Sequence, residues 1–91
     1  MRVRWLRRAL RNLDQEADYI ARDEPQAAAQ VVERIVTSVE LLATQPALGR
    51  TGRVPGTREL IVTGTPYMVP YRVRDDTVEI LRVIRSSTMR L

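Results

Sequence analysis

The chain has 91 residues and a formal net charge of +4, from 15 basic and 11 acidic side chains, and every basic side chain is arginine. This length suffices for one domain with one modest core, which we place at residues 1–91. The sequence contains no histidine, lysine or cysteine, which excludes a disulfide framework and a thiolate metal site and removes the commonest acid–base groups near neutral pH. No apolar run approaches the roughly 20 residues of a membrane span, and arginines interrupt the start too often for a signal peptide, so we expect a soluble, cytoplasmic protein.

The first half of the chain predicts one short strand and then two helices. Arginine and apolar residues alternate over Met1–Trp5, which is typical of a strand. From Leu6 the apolar residues recur at steps of three and four, which indicates a helix that ends before Pro25. Pro25 suits the first position of a second helix, because the N–H that proline lacks would be unpaired there anyway. The second helix is predicted to run to about Ala43 and to end before Pro46.

The second half predicts a sheet. The segment 49–56 is rich in glycine and is expected to be a mobile loop. Three strands follow, at Arg58–Thr63, Tyr67–Arg74 and Val78–Ile84, separated by tight turns. Pro70 cannot donate to a β ladder, so we expect a bulge there or a position that faces away from any neighbour. This order predicts an α+β, two-layer fold in which a helical hairpin packs on an antiparallel sheet of three further strands, β-α-α-β-β-β.

The positive charge is concentrated in the second half. Residues 50–91 hold eight arginines against four acidic residues and so carry the whole net excess. Two interpretations stay open: a solvated surface, or contact with an anionic partner, either nucleic acid or an acidic protein segment. A second group of arginines near the start is expected to be a solvent-exposed face rather than a nucleic-acid site: Arg2, Arg4, Arg7, Arg8 and Arg11.

Several short motifs occur in the same order as in one family of small bacterial proteins. They are Ala17-x-Tyr19-Ile20-Ala21, Pro25-x-Ala27-Ala28, Pro46-x-Leu48-Gly49-Arg50, Gly56-Thr57-Arg58-Glu59-Leu60, Pro66-Tyr67-x-Val69-Pro70-Tyr71-Arg72 and Ile80-Leu81-Arg82-Val83-Ile84. Each is weak alone, but together they span nearly the whole chain. The chain therefore resembles the RelE/ParE superfamily of toxins from type II toxin–antitoxin pairs, and within it the ParE-like branch.

The resemblance implies a protein partner and one of two targets. It implies a cognate antitoxin whose C-terminal segment wraps the toxin, giving a hetero-oligomer. ParE-like members poison DNA gyrase, whereas RelE-like members cut messenger RNA on the ribosome. We expect gyrase as the target, with direct binding of nucleic acid as the less favoured alternative. A third alternative is a weakened or non-toxic module that only binds the antitoxin, because residues 86–91 lack the aromatic tail that is frequent in the family.

Cleavage of RNA through its 2′-hydroxyl needs a base, a cation beside the phosphate and an acid for the leaving oxygen. By resemblance, Met68 stands where nuclease members carry a cation, and Arg85 stands where they often carry histidine. A guanidinium stays protonated and is a poor proton shuttle. We therefore assign no catalytic residue and expect inhibition without hydrolysis. If the chain is a nuclease, the candidates are Arg58, Glu59, Tyr71, Arg72 and Arg82.

A wider set of residues is expected to contact the antitoxin or the target. Most are arginines of the sheet half, and the full set is Arg50, Arg53, Arg58, Tyr67, Arg72, Arg74, Arg82 and Arg85. Three of the candidate residues also have a structural interpretation. Tyr67 and Tyr71 are expected to pack in the core, and Glu59 is expected to pair with an arginine. Arg82 is expected to share a face with the apolar residues of the last strand and to need a carboxylate partner. No metal site and no cofactor are expected.

Overall fold

A computed structural model describes residues 1–85 of the chain, and the tail at 86–91 lies outside the described residues. Two helices and six strands are separated by short connections, and the second helix ends in a 3₁₀ turn. In chain order the elements are β1 (Arg2–Trp5), α1 (Arg7–Ala21), α2 (Pro25–Glu40), the 3₁₀ turn (Leu41–Ala43), β2 (Arg50–Thr51), β3 (Arg58–Ile61), β4 (Tyr67–Arg74), β5 (Thr77–Ile80) and β6 (Ile84–Arg85).

The strands form one mixed sheet in the order β1-β5-β4-β3-β2, and β6 pairs with the start of β4. All pairings are antiparallel except that of β1 with β5, which is parallel. β1 runs parallel to β5 although both helices and the strands β2, β3 and β4 lie between them in the sequence. The predicted two-layer α+β order is therefore confirmed, with the first strand added in parallel at one edge of the sheet.

The two helices cover one face of the sheet because their apolar residues recur at helical spacing. Ala9 and Leu13 of α1 and Ile35 and Val39 of α2 are buried in the core. Pro25 begins α2, as predicted. The sheet contributes the residues of β4 that alternate towards the helices, together with apolar residues from its neighbours, and the core members are Leu60, Val62, Tyr67, Val69, Tyr71, Val78, Ile80 and Val83.

The predicted last strand, Val78–Ile84, is wrong as one continuous element. It divides into β5 and β6, because Pro70 has no N–H to continue the ladder. Tyr71 pairs with Ile80 and Met68 pairs with Ile84, so one extra residue lies opposite β4 between these two pairs. This confirms the irregularity that was expected at Pro70.

The extra residue is held by two hydrogen bonds and changes which side chains face the core. The Leu81 N–H donates to the Pro70 carbonyl at 3.0 Å, and the Val83 N–H donates to Asn12 Oδ1 at 3.2 Å. Val83 takes the next buried position after Ile80. The expectation that Arg82 continues the strand face of Ile80 and Ile84 is therefore wrong.

Three smaller boundaries also differ from the sequence predictions. Segment 49–56, expected as a loop throughout, contains the short strand β2. The strand predicted over Arg58–Thr63 ends at Ile61, and the helical geometry of α2 tightens into the 3₁₀ turn after Glu40. The Asp75–Asp76 turn is as expected, and both residues have positive φ (53° and 58°), which is the backbone of a two-residue hairpin turn that matches the twist of the strands.

The Tyr71 side chain fixes the connection between α2 and β2 from within the core. Its hydroxyl donates to the Pro46 carbonyl at 2.7 Å and accepts the Gly49 N–H at 2.8 Å. A Cβ atom on Gly49 would lie 2.7 Å from Tyr71 Cε1 and 2.9 Å from the Glu59 carbonyl oxygen. Glycine is therefore required for this close approach, and the phenol satisfies two backbone groups that have left regular secondary structure.

We predict that Tyr71→Phe lowers the free energy of unfolding by about 1–3 kcal/mol, because it leaves the buried Gly49 N–H and Pro46 carbonyl without the partner they share. Urea denaturation followed by circular dichroism measures this. Tyr19→Phe is the matched control, since Tyr19 is 59% exposed and loses only a hydroxyl in solvent. Equal stability of the two variants would contradict a structural role for the Tyr71 hydroxyl.

Candidate functional site

The face of the sheet that the helices leave uncovered carries most of the arginines that the sequence singled out. We call it the arginine face and define it by Arg4 of β1, Arg50 of β2, and Arg72 and Arg74 of β4. Residues directly opposite each other on paired strands share a face, and two glutamates lie opposite these arginines: Glu79 pairs with Arg4 and Arg72, and Glu59 pairs with Arg50. Although no helix of residues 1–85 covers this face, Glu59 is only 6% exposed and Glu79 only 7%.

Glu79 is the common partner of three arginines. Arg72 Nε donates to Glu79 Oε1 at 2.6 Å, Arg74 Nη2 lies 3.5 Å from the same oxygen, and Arg4 Nη1 lies 3.9 Å from Oε2. The hydrogen bond from Arg72 is the largest cause that lowers the pKa of Glu79 below its usual 4.5, and the charges of Arg74 and Arg4 add to it against the opposing effect of burial. Glu79 is therefore an anion that orders the arginines around it.

Glu59 is the carboxylate of a second cluster, at the other side of the sheet. Arg50 Nε and Nη2 each lie 3.1 Å from Glu59 Oε1, and the Arg53 backbone N–H donates to Oε2 at 3.2 Å. Burial alone would raise the pKa of Glu59, but these hydrogen bonds and the two positive charges outweigh it and lower the pKa below 4.5. A carboxyl held ionised by an arginine is a weak base near neutral pH.

Two other residues of the nuclease set serve the fold. Arg58 Nη1 donates to the Gly49 carbonyl at 2.8 Å and to that of Ala47 at 3.4 Å, and so supports the loop before β2. The Tyr71 ring is fully buried and its hydroxyl is occupied by Pro46 and Gly49. Both residues therefore satisfy backbone groups of the loop before β2, and the interpretation of Tyr71 as core packing is confirmed.

Arg82 differs from the other arginines of the set. Its Nε atom is buried and has no hydrogen-bond partner among residues 1–85. It lies in the irregular segment between β5 and β6, where the strand ladder is interrupted. Buried polar groups are nearly always paired. Residues 1–85 do not supply a partner for this Nε atom, so the carboxylate partner of Arg82 stays a prediction.

Tyr67 and Arg85 form a cluster with α1 on the helix side of the sheet. The Tyr67 hydroxyl donates to Glu16 Oε1 at 2.7 Å and accepts from Arg85 Nη2 at 3.0 Å, and Arg85 Nε lies 3.7 Å from the same Glu16 oxygen. The Arg85 guanidinium also lies over the rings of Tyr19 and Tyr67, at 5.2 and 5.3 Å from their centroids. Burial is the largest cause that raises the pKa of Tyr67, and the hydrogen bond to Glu16 raises it further, to about 12. The positive charge of Arg85 acts in the opposite direction but is outweighed.

The structure thus separates the predicted partner-binding residues into five locations. Arg72 and Arg74 lie at the Glu79 cluster, and Arg50 and Arg53 at the Glu59 cluster, beside the sulfur of buried Met68, which is 3.8 Å from Arg50 Nη2. Tyr67 and Arg85 lie against α1, on the opposite face of the sheet, and the Tyr67 ring is buried. Arg58 and Arg82 lie at the loop before β2 and at the interruption after β5.

Sequence reasoning did not single out Glu79 or Glu16 as partners of arginines, and it did not place Arg4 with the arginines of the sheet half. Arg4 belongs to the Glu79 cluster because β1 pairs in parallel with β5, a contact across 75 residues of sequence that no local pattern reveals. Glu79 did carry a signal, since it alternates with buried Val78 and Ile80 and so had to face away from the helices. Glu16 lies on the polar side of α1 and gave no such signal.

Two open apolar surfaces lie outside these clusters. A shallow groove of about 510 Å³ runs between the helices and is lined by alanines and valines, with Ala17, Ala21, Ala28, Ala29, Val32 and Val36 as its apolar members. We call it the hairpin groove. At the other end, Leu41, Leu48 and Ile61 line a groove of about 350 Å³ beside β3. There β2 pairs only with Arg58 and Glu59, so Leu60 and Ile61 have no strand partner on that side among the described residues.

No three histidine, cysteine, aspartate or glutamate side chains of residues 1–85 converge as a metal site would require. No helix that the structure describes is long and apolar enough to cross a membrane.

Comparison with known proteins decides the family. The family described as "ParE toxin of type II toxin-antitoxin system, parDE" matches residues 3–90. The chain belongs to the ParE toxin family. A chain of the "Chromosomal ParDE TA system from P. aeruginosa" superposes on this ParE-family toxin with a TM-score of 0.86 and 33% identity, over 93% of this chain and 95% of the other.

Two relatives support the same assignment from sequence. The protein Y4kP of Sinorhizobium fredii is 53% identical to this ParE-family toxin over 85 residues, which are 93% of this chain and 88% of Y4kP. Toxin RelE2 of Caulobacter vibrioides is 38% identical over 81 residues, 89% of this chain and 90% of its own. The predicted superfamily and branch are confirmed, and a toxin of a toxin–antitoxin pair implies an antitoxin partner. One relative carries the name RelE, so the target is inferred from the site itself.

We predict that the ParE-family toxin loses stability as the pH falls through the lowered pKa values of Glu59 and Glu79. A carboxyl whose pKa is lower in the folded than in the unfolded chain stabilises the fold above about pH 4.5, and that contribution disappears as the folded carboxyl is protonated. Glu79→Gln and Glu59→Gln should each flatten the acid side of the curve of unfolding free energy against pH. Glu33→Gln, at an exposed carboxyl of α2, is the control, and an equal flattening by this control would contradict the assignment.

Proposed function

We propose that this ParE-family toxin inhibits DNA gyrase by binding it, without nucleolytic chemistry, and that a cognate antitoxin neutralises it in the cytoplasm. The observation that carries the proposal is the state of the nuclease candidates. Glu59 is held ionised by Arg50, Arg72 is bound to Glu79, Arg58 is bound to backbone carbonyls, and Tyr71 is buried with its hydroxyl occupied.

Phosphodiester cleavage requires groups that exchange protons near neutral pH. Arginine does not deprotonate there, and the two carboxyls of the arginine face are both shifted towards the ionised form. The Tyr67 hydroxyl has a pKa of about 12 and already contacts Glu16 and Arg85. What remains exposed on the face is fixed positive charge, which serves recognition of an anionic surface rather than proton transfer.

The antitoxin is proposed to cover the two apolar surfaces. The hairpin groove offers small residues between two helices, which suits an amphipathic helix laid into it. The outer side of β3 has no strand partner beyond Glu59 among the described residues, and the apolar side chains of Leu41 and Leu48 lie beside it, which suits an extended segment. Contact with the two surfaces at once by one antitoxin chain gives the hetero-oligomer that we expect, because binding at the first surface raises the effective concentration at the second.

The target is tested with the purified protein in two parallel assays. We expect it to block supercoiling by gyrase, or to trap cleaved DNA on the enzyme, and to leave messenger RNA on translating ribosomes intact in primer-extension mapping. Codon-positioned cuts that disappear in Glu59→Gln or Arg72→Ala would replace the proposal with the ribosome-dependent endonuclease. Inactivity in both assays would leave the antitoxin-binding module.

We predict that the protein co-purifies with the product of the adjacent antitoxin gene and that charges placed on the apolar surfaces weaken this complex. Ala29→Glu in the hairpin groove and Ile61→Glu beside β3 should each reduce affinity at least about tenfold, since each buries an unpaired carboxylate. Gln26→Glu is the control, because Gln26 is exposed on α2 and does not line the groove. Isothermal titration measures the affinity, and circular dichroism verifies the fold. Unchanged affinity in both variants would place the antitoxin elsewhere.

A further inference from the structure

The register of β1, β5 and β4 arranges one part of the arginine face, together with Arg2 of β1, in two parallel rows. Glu79 of β5 lies between Arg4 of β1 and Arg72 of β4, and we call these three residues the Glu79 row. Two positions back along β5, Thr77 lies between Arg2 of β1 and Arg74 of β4, and we call these the Thr77 row. Neighbouring strands are about 4.8 Å apart and alternate residues about 7 Å apart, so the rows repeat the same geometry side by side.

The two rows differ only in the residue at their centre. In the Glu79 row the central carboxylate is hydrogen-bonded to Arg72 and ion-paired with Arg4. In the Thr77 row the central side chain is uncharged, and its hydroxyl donates to the Asp75 carbonyl at 3.3 Å. Arg2 is exposed and makes no ion pair among residues 1–85, while Arg74 reaches across to Glu79 at 3.5 Å.

The surroundings of the Thr77 row form a cleft that is positive overall. Arg2, Arg4 and Arg74 line a cleft of about 560 Å³ together with Asp75 and Glu79. Asp76 lies at the outer end of the same turn, beside Arg2. Arg2, Arg4, Arg72 and Arg74 outnumber Asp75, Asp76 and Glu79 by one charge, and Arg2 is the arginine of this group that makes no ion pair within residues 1–85.

We propose that the Thr77 row binds a carboxylate of an acidic protein segment, held between Arg2 and Arg74 as Glu79 is held between Arg4 and Arg72. The Glu79 row demonstrates that two arginines at this strand spacing fit one carboxylate between them. We name a carboxylate as the occupant because a carboxylate is the group that the Glu79 row holds at the same strand spacing. Arg74 belongs to the arginine face that the gyrase proposal uses, whereas Arg2 and Thr77 do not, so variants at Arg2 and Thr77 test this site separately from the target.

The decisive variant is Thr77→Glu, which places a carboxylate of the chain itself at the centre of the row. We expect it to fold and to lose binding of an acidic partner, because Arg2 and Arg74 then have an internal anion as in the Glu79 row. Thr37→Glu on the exposed surface of α2 makes the same change of charge away from the cleft. A second pair separates the arginine from general charge: Arg2→Gln in the row and Arg8→Gln on α1, both exposed.

The probe is a fluorescein-labelled peptide that alternates glutamate with threonine, compared with an oligothymidylate of equal net charge, by fluorescence anisotropy at fixed salt. We expect Thr77→Glu and Arg2→Gln each to weaken peptide binding about tenfold or more, as the loss of a charge-assisted contact does, and the two controls to change it less than twofold. Equal weakening by control and test variants would overturn the proposal, as would absence of peptide binding by the unaltered protein.

Tighter binding of the oligothymidylate with the same dependence on Arg2 would overturn it in favour of a phosphate site. Circular dichroism and thermal unfolding of every variant separate lost binding from lost fold, and Arg2→Gln still tests the proposal if Thr77→Glu does not fold.

Discussion

Neutralisation of the arginines by two nearly buried glutamates is the constraint on which the exposed face of this sheet depends. A cross-strand arginine pair with no anion between its members would repel itself on a face that no helix covers. Glu59 and Glu79 reduce that repulsion, and both carboxylates are nearly buried among the residues around them. The face is therefore ordered before any partner arrives, which lowers the side-chain entropy that binding must overcome.

The same neutralisation limits what the face can do chemically. A carboxylate that accepts two or three charge-assisted hydrogen bonds is stabilised as an anion, and an arginine bound to it has fewer donors left for a phosphate. Arg72 is bound closely to Glu79, whereas Arg4 and Arg74 make longer contacts and stay well exposed. The face is suited to recognition by its outer arginines, while its inner residues maintain the geometry of the sheet.

Local patterns were sufficient for most of the fold, and the misses have physical causes. Strand β4 was predicted to the residue, since its alternation is strict and tight turns bound it at both ends. The last strand was predicted too long, because Ile80 to Ile84 reads as a continuous alternation and only the missing N–H of Pro70, on the neighbouring strand, interrupts it. For the candidate site, the sequence singled out Arg50, Arg72 and Arg74 of the arginine face but not Arg4, because the grouping of these residues depends on which strands are neighbours. The parallel pairing of β1 with β5 joins the two ends of the chain, and no periodicity within either strand encodes it.

The exclusive use of arginine fits this architecture better than lysine would. A planar guanidinium can donate two hydrogen bonds to one carboxylate and still present an exposed edge, whereas an ammonium is a point charge that prefers water. Arg50 uses two nitrogens on one Glu59 oxygen, and Arg85 lies over two tyrosine rings while it also donates to the Tyr67 hydroxyl. Both arrangements need a flat, many-donor cation. Lysine at these positions would keep the net charge of the chain but lose the stacking and the paired donors. The arginine face and the contact between β6 and α1 therefore depend on the shape of the cation as well as on its charge.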